Sequence, residues 1–313
     1  MGERASMPMK TLVVILGPTG VGKTDLSIEI AKHFGTSIIS CDSRQIYREM
    51  RIGTAVPDKE QLEAVPHYFI QTVSVMDYYN SWKYETEALE KIRELFEKND
   101  VVVMCGGSML YMDAVCKGID DIPSIPSGLR KMLTEIYEKE GPESVRAMLK
   151  ELDPVFYGQV DLNNGKRVLH AVEVCLAAGV PYSSLRTDSP KKREFSIVRI
   201  GLNREREELY RRIDRRVDLM MEDGLEDEAR ALFPLRHLNA LNTVGYKELF
   251  DYFDGGIDRM EAVRLIKRNS RRYARKQLSW FRRDGDIRWF HPEQKADIFD
   301  YLTYRTGHCP VGF

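Results

Sequence analysis

Residues Gly17, Pro18, Thr19, Gly20, Val21, Gly22, Lys23 and Thr24 read G-x-x-x-x-G-K-T, a spacing that wraps backbone N–H groups around a chain of phosphates. Glycines let the main chain come close to anionic oxygens, and a helix starting near Lys23 aims its positive end at the same anion. Lys23 offers a cation to phosphoryl oxygens, and the Thr24 hydroxyl suits Mg²⁺. Asp42 follows the short apolar run that ends at Ser40, so its carboxylate lies at a strand end, where it can hold Mg²⁺ or serve as a general base. The competing reading of Asp42 is a turn or helix-cap residue. Arg211, Arg212, Arg215 and Arg216 share a helical stretch with Asp214 and Asp218, so pairing at i±4 competes with a bidentate grip on a diphosphate.

A second concentration of charge lies near the C-terminus. Arg264, Lys267, Arg268, Arg271, Arg272, Arg275, Lys276, Arg282 and Arg283 fall between positions 264 and 283 with no acid among them, although the net charge of the chain is only −1. Tyr273, Trp280 and Phe281 are interleaved with them. Cations with aromatic faces suit a phosphate backbone and stacked, unpaired bases, whereas an exposed helix face is the plainer alternative. His67 and His170 lack metal-ligand spacing and read as structural or polar-contact residues.

The elements that must position these groups follow a βαβ rhythm. Thr11–Leu16 is an apolar strand, a helix spans 23–33, and a short strand covers 37–40. A helix over about 83–98 leads to the wholly apolar 101–105, which reads as a buried parallel strand. That strand ends in Cys105, Gly106 and Gly107, where a phosphotransferase usually places an aspartate for Mg²⁺. The glycines argue against a kinase and suit backbone passing close to a bulky ligand. From Lys117 to Pro126 prolines and the acidic pair Asp120 and Asp121 break the rhythm, and 127–180 reads as helical. The strand at 195–202 returns to the sheet, and helices follow at about 205–222, 225–233, 244–253 and 258–283. A strand at 286–291 precedes a loose tail. The fold class is therefore α/β, a P-loop doubly wound parallel sheet with a helical insertion domain at 119–194 and a helical C-terminal region; the core takes 1–118 and 195–313.

The 313 residues allow a sizeable core, and 43% hydrophobic with 30% charged residues is a globular composition. No apolar stretch approaches ~20 residues, so no membrane span is expected, and residues 1–10 read as a loose arm rather than a signal segment. Cys41, Cys105, Cys116, Cys175 and Cys309 are scattered and form no C-x-x-C, which indicates neither a zinc site nor a disulfide framework and fits a reducing cytoplasm.

Taken together, the segments closely resemble the tRNA dimethylallyltransferases, also called tRNA isopentenyltransferases. The matching stretches are the loop 17–24, Ser40–Tyr47, Ile52–Ala55, Pro66 with His67, Gly106–Tyr111, Leu209–Arg216, Val244–Lys247 and Arg275–Arg282, in the family's order. The resemblance implies transfer of a dimethylallyl group from dimethylallyl diphosphate to N6 of the adenine 3′ of a tRNA anticodon. It makes Asp42 the general base, Thr24 the residue tied to Mg²⁺ and diphosphate, and Arg216 the arginine on the diphosphate. It also implies tRNA contacts at Asp42, Ser43, Arg44 and Gln45, and at Ser108 and Arg130. Further contacts are implied at Asn242, Thr243, Val244, Gly245, Tyr246 and Lys247, and at Arg275, Lys276, Gln277, Leu278, Ser279, Trp280, Phe281 and Arg282. Lys166, Arg167, Val168, Leu169 and His170 occupy another family contact segment but depart from its usual Gln-Arg start. Val56 replaces a common lysine, and Tyr68 a second histidine. Without Cys/His pairs for a zinc finger, the chain looks like the bacterial form. The implied partners are the anticodon stem-loop of tRNA and the diphosphate donor, with Mg²⁺ as cofactor and a cytoplasmic monomer as the working state. A small-molecule or nucleoside kinase explains the loop but not the basic helix. An RNA-binding module without chemistry leaves Asp42 idle, and the related adenylate isopentenyltransferases do not need that helix.

Overall fold

The computed structural model describes residues 10–120, 122, 123, 125–187 and 189–308. Residues 1–9, Asp121, Ser124, Asp188 and Cys309 onward lie outside the described residues. The chain forms two compact units: Lys117–Lys191 makes one, and the described residues on either side of it make the other.

The larger unit is built on six parallel strands: β1 (Thr11–Leu16), β2 (Ile38–Ser40), β3 (His67–Tyr68), β4 (Val101–Gly106), β5 (Ser196–Leu202) and β6 (Arg288–Phe290), in the order β3-β2-β4-β1-β5-β6. Their register is what assembles the site. Leu16 pairs with Gly106 on one side and Gly201 on the other, while Ser40 pairs with Cys105. The segments that leave β1, β2 and β4 therefore emerge at one edge, the C-terminal edge where ligands gather in such sheets. Side chains alternate between two cores. Leu12, Val14, Leu16, Val102 and Met104 face one, and Val13, Ile15, Val101, Val103 and Ile200 face the other. Because both faces are covered by helices, the strands read as continuous apolar runs.

Helices α1 (Lys23–His33), α2 (Lys59–Ala64), α3 (Ser81–Phe96) and α4 (Met109–Lys117) precede the second unit. The second unit contains α5 (Ser127–Glu140), α6 (Pro142–Leu152), α7 (Pro154–Tyr157), α8 (Gly165–Ala178) and α9 (Tyr182–Leu185). It has its own core of Leu133, Val145, Leu149, Phe156, Val168 and Val172. Its ends are drawn together by Lys191 N–H donating to Lys117 O at 2.7 Å.

Returning to the larger unit, α10 (Arg206–Glu222), α11 (Leu225–Leu232), α12 (Tyr246–Phe253), the long α13 (Arg259–Phe281) and α14 (Lys295–Thr306) complete the chain. The tail expected to be loose is thus a helix through residue 306. Ile298 and Leu302, one turn apart, are fully buried, and Phe299 packs its ring 4.7 Å from His33. A two-residue apolar stripe on a short helix is a weak sequence signal, but a core face receives it. β3 and α2 also form within what reads as loop.

Candidate active site

The loop between β1 and α1 is shaped by its glycines and then fixed from outside. Gly22 caps α1 at φ 106°, in the left-handed region, and a Cβ on Gly17 would lie 2.6 Å from Leu202 O. Arg212 Nε donates to Gly20 O and Arg204 Nε to Val21 O, each at 2.9 Å. Lys23 Nζ donates to Gly17 O and Pro18 O, also at 2.9 Å. Burial holds the Lys23 ammonium below the usual lysine range; Arg216 pulls the same way, and Cys105 and Asp42 oppose it.

Two cavities open at this sheet edge. One, of about 100 Å³, is lined by Lys23, Thr24, Cys105, Gly106, Gly107 and Gln277. The other, of about 360 Å³, is lined by Ser43, Arg44, Asn242, Thr243, Val244, Gly245 and Lys247 among others. Both are walled by the same five residues, Thr19, Asp42, Thr54, Arg216 and Tyr273. Asp42 Oδ1 accepts the N–H groups of Arg44 (2.8 Å) and Gln45 (3.2 Å), so the turn role is real. Oδ2 has no hydrogen bond among the described residues and remains available to a ligand. Arg216 Nη1 approaches Thr19 Oγ1 at 3.4 Å, and burial lowers the pKa of its guanidinium against the opposing pull of Asp42. Burial and the Asp42 charge push the Tyr273 phenol up to about 12, although its ring is partly exposed, so it is a protonated donor at neutral pH. The arrangement combines an anion cradle, a carboxylate and a guanidinium at one junction. That suits a reaction in which a proton is removed on one side and an anion departs on the other.

The model of a known family, described as IPP transferase, matches residues 45–284. The chain belongs to this family. A tRNA dimethylallyltransferase 2 of Porphyromonas gingivalis is 61% identical over 296 residues, covering 95% of this chain and 98% of that protein. A tRNA dimethylallyltransferase 1 of Bacteroides thetaiotaomicron is 55% identical, covering 96% and 98%. Among solved structures, the tRNA isopentenylpyrophosphate transferase of Bacillus halodurans is 34% identical, covers 95% of this chain and 97% of its own, and superposes with a TM-score of 0.71.

In this IPP transferase several motif residues also hold the walls of the crevice together, among them Arg44 and Gln45, which line its cavities. Arg44 Nη1 donates to Asn239 O and Ala240 O, and Gln45 Nε2 to Thr54 O and Ala55 O. Tyr246 is fully buried; its hydroxyl donates to Glu228 Oε1 at 2.6 Å, and its ring lies where a Cβ on Gly53 would be, 2.6 Å away. Glu228 also accepts the N–H groups of Arg51, Ile52 and Gly53. This carboxylate locks the loop carrying Thr54, yet sequence reasoning passes over it: in the acidic first turn of α11 it looks like any helix-start acid. The glycines at the end of β4 likewise serve the protein. A Cβ on Gly106 would meet the Cys41 carbonyl at 2.5 Å, and one on Gly107 would meet Gln277 Nε2 at 2.4 Å, so no ligand is needed to explain them.

The segments implied to contact tRNA divide in the same way. On α13 Arg275, Lys276 and Ser279 are exposed, as is Arg282 just past its end, whereas Gln277 and Phe281 are buried and Leu278 packs on the core, since helical periodicity turns every third or fourth side chain inward. Ser108 is buried at the start of α4, where its Oγ faces the Tyr111 N–H at 3.5 Å. In the second unit Lys166 and Arg167 are exposed, Val168 lies in the core, and Leu169 packs against it. Arg130 Nε and His170 Nδ1 both approach the buried Glu173 carboxylate, at 3.2 and 3.4 Å. His67 lines the loop-side cavity, with Nδ1 2.8 Å from Val65 O, and burial lowers its pKa.

The nine-cation run is also less free than its sequence suggests. Arg264 pairs with Glu261, Lys267 with Asp218 and Arg271 with Asp214, the last two acids coming from α10. The remaining charge concentrates in a surface groove of about 510 Å³ formed by Met109, Arg272, Arg275, Lys276, Ser279, Trp280 and Arg283. Trp280 Nε1 donates to Asp113 Oδ2 at 2.9 Å, and Arg283 stacks 5.1 Å from the indole.

Proposed function

We propose that this IPP transferase is a tRNA dimethylallyltransferase that moves a dimethylallyl group from dimethylallyl diphosphate to N6 of the adenine 3′-adjacent to the anticodon. A C–N bond forms at N6, the C–O bond to the diphosphate breaks, Asp42 takes the N6 proton, and diphosphate leaves. The observation that carries the reading is the junction of the two cavities at Asp42, Thr19 and Arg216. Donor and acceptor can each occupy one cavity and meet at the free carboxylate oxygen.

An exocyclic adenine amine is a poor nucleophile, so removal of its proton as the bond forms lowers the barrier. Lys23, the loop amides and Arg216 neutralise the departing diphosphate, and the Thr19 hydroxyl beside Arg216 faces the same oxygen end. The Thr24 hydroxyl lines the loop-side cavity and makes no hydrogen bond of its own to the described residues, which fits a hard cation that otherwise keeps water and phosphate ligands. Mg²⁺ held there would supply further charge neutralisation to the leaving diphosphate. The target base must leave the anticodon-loop stack to enter the second cavity, and the exposed cations of α13 suit the RNA backbone around it. Among the described residues no helix is long and apolar enough to cross a membrane. Cys41, Cys105, Cys116 and Cys175 are free thiols, which suits a reducing compartment such as the cytoplasm.

The test is incubation with Mg²⁺, labelled dimethylallyl diphosphate and either unmodified tRNA or AMP, with ATP hydrolysis followed in parallel. Label in tRNA alone is expected. Label in AMP but not tRNA, or ATP turnover without prenyl transfer, contradicts the reading.

A further inference from the structure

Gln277, on the inner face of α13, belongs to neither the RNA groove nor the apolar core. Gln277 is 2% exposed and lines the loop-side cavity. Its Oε1 accepts the Thr19 N–H at 2.9 Å, and its Nε2 donates to Gly107 O at 2.8 Å. One amide thus joins the phosphate loop to the segment leaving β4. A half-buried backbone donor and a buried backbone acceptor side by side call for a side chain that both accepts and donates without a charge. Only Gln and Asn do so as carboxamides, and Gln has the longer reach. Gly107 is shaped to this contact, because any Cβ there would come within 2.4 Å of Nε2.

We propose that Gln277 is a positioning residue for prenyl transfer, acting through Thr19: it fixes the Thr19 end of the loop beside Arg216 and links that end to the RNA-facing helix. Resting on the function proposed above, this reassigns a residue whose motif suggests an RNA contact. The neighbouring side chains make the link physical. Arg275, Lys276 and Ser279 line the groove on the outer face of the same helical turns, while Ala274, Gln277 and Phe281 form the buried stripe. A shift of α13 under bound RNA therefore reaches the Thr19 N–H through a single side chain. Thr19 in turn walls both cavities and places its hydroxyl by the guanidinium of Arg216.

Single-turnover and steady-state kinetics of Gln277→Ala test this. The expected result is a fall in kcat of about 10- to 10²-fold with the KM for tRNA changed less than about 2-fold. In a Thr19→Ala background the N–H that Gln277 holds remains but the hydroxyl it places beside Arg216 is gone, so the same substitution should cost less than about 2-fold. Fully additive losses, or a raised tRNA KM at unchanged kcat, would overturn the proposal; the second pattern marks a direct RNA contact. If Gln277→Ala does not fold, Gln277→Met fills the space without hydrogen bonds and is expected to show the same kcat loss, wild-type turnover again overturning it. Failure of the wild type to prenylate tRNA would sink the function reading alone. Calorimetric titration with Mg²⁺ and inorganic diphosphate then still decides the loop claim: Gln277→Met should weaken binding about 5-fold, the worth of roughly one hydrogen bond, and unchanged affinity refutes it.

Discussion

Two cationic regions of the larger unit are built in opposite ways. In the crevice, Lys23 and Arg216 are held by loop atoms, Lys23 at two carbonyls and Arg216 beside Thr19, and burial lowers the pKa of each. In the groove on α13, Arg272, Arg275 and Lys276 are exposed and have no acidic partner among the described residues. A half-buried cation with fixed geometry acts more strongly on an anion delivered to it than an exposed one, because less water competes. An exposed one contributes mainly by releasing counterions, and its effect fades with salt. The first arrangement suits stabilising a leaving group, the second holding a long polyanion in register. The separation of these tasks is open to direct attack.

The largest effect belongs to the crevice. Asp42→Ala is expected to lower turnover by about 10²-fold or more while tRNA affinity stays within about 2-fold, the signature of a missing general base. Steady-state kinetics with filter-binding titration check it, and unchanged turnover would return Asp42 to the turn role that its Oδ1 already performs. Next, Arg275→Gln combined with Lys276→Gln should weaken tRNA binding and flatten the dependence of log K on log salt by about 0.7 to 0.9 for each phosphate that is no longer neutralised. An unaltered slope would mean this face of α13 does not meet RNA.

A smaller effect follows from the lowered pKa of Lys23. The ligand-free ammonium gives up its proton below the usual lysine range, and a bound diphosphate favours the charged form. Affinity for inorganic diphosphate should therefore fall as pH rises through the free-protein pKa, with proton uptake on binding in that window. Calorimetry in two buffers of different ionisation enthalpy measures it, and Lys23→Arg, which does not titrate there, should remove the lysine's share of the decline. Smallest is a scaffold control. Tyr246→Phe removes the hydroxyl that meets Glu228 and should cost about 1 to 2 kcal/mol of stability by thermal melting, with turnover at saturating substrates little changed.

How much of this the sequence carries depends on how local each feature is. The loop and Asp42 are legible because eight consecutive residues and one strand end define them. The basic run is legible as a run, but its net charge is not. Asp214 and Asp218, which neutralise Arg271 and Lys267, lie about fifty residues upstream on another helix. Gly106 and Gly107 advertise close approach without naming the neighbour, which is Cys41 and Gln277 rather than a ligand. The Tyr246–Glu228–Gly53 lock joins three distant segments, so no single stretch signals it. The last helix escapes a sequence reading because Ile298 and Leu302 alone are too short a stripe to stand out.

The division of labour between crevice and groove is tested most directly by one measurement: the single-turnover rate of the Arg275→Gln, Lys276→Gln protein with both tRNA and dimethylallyl diphosphate saturating. The rate should lie within about 3-fold of the wild type, since the removed cations bind and do not react. A fall approaching that of Asp42→Ala would contradict the division and place the groove within the reacting machinery.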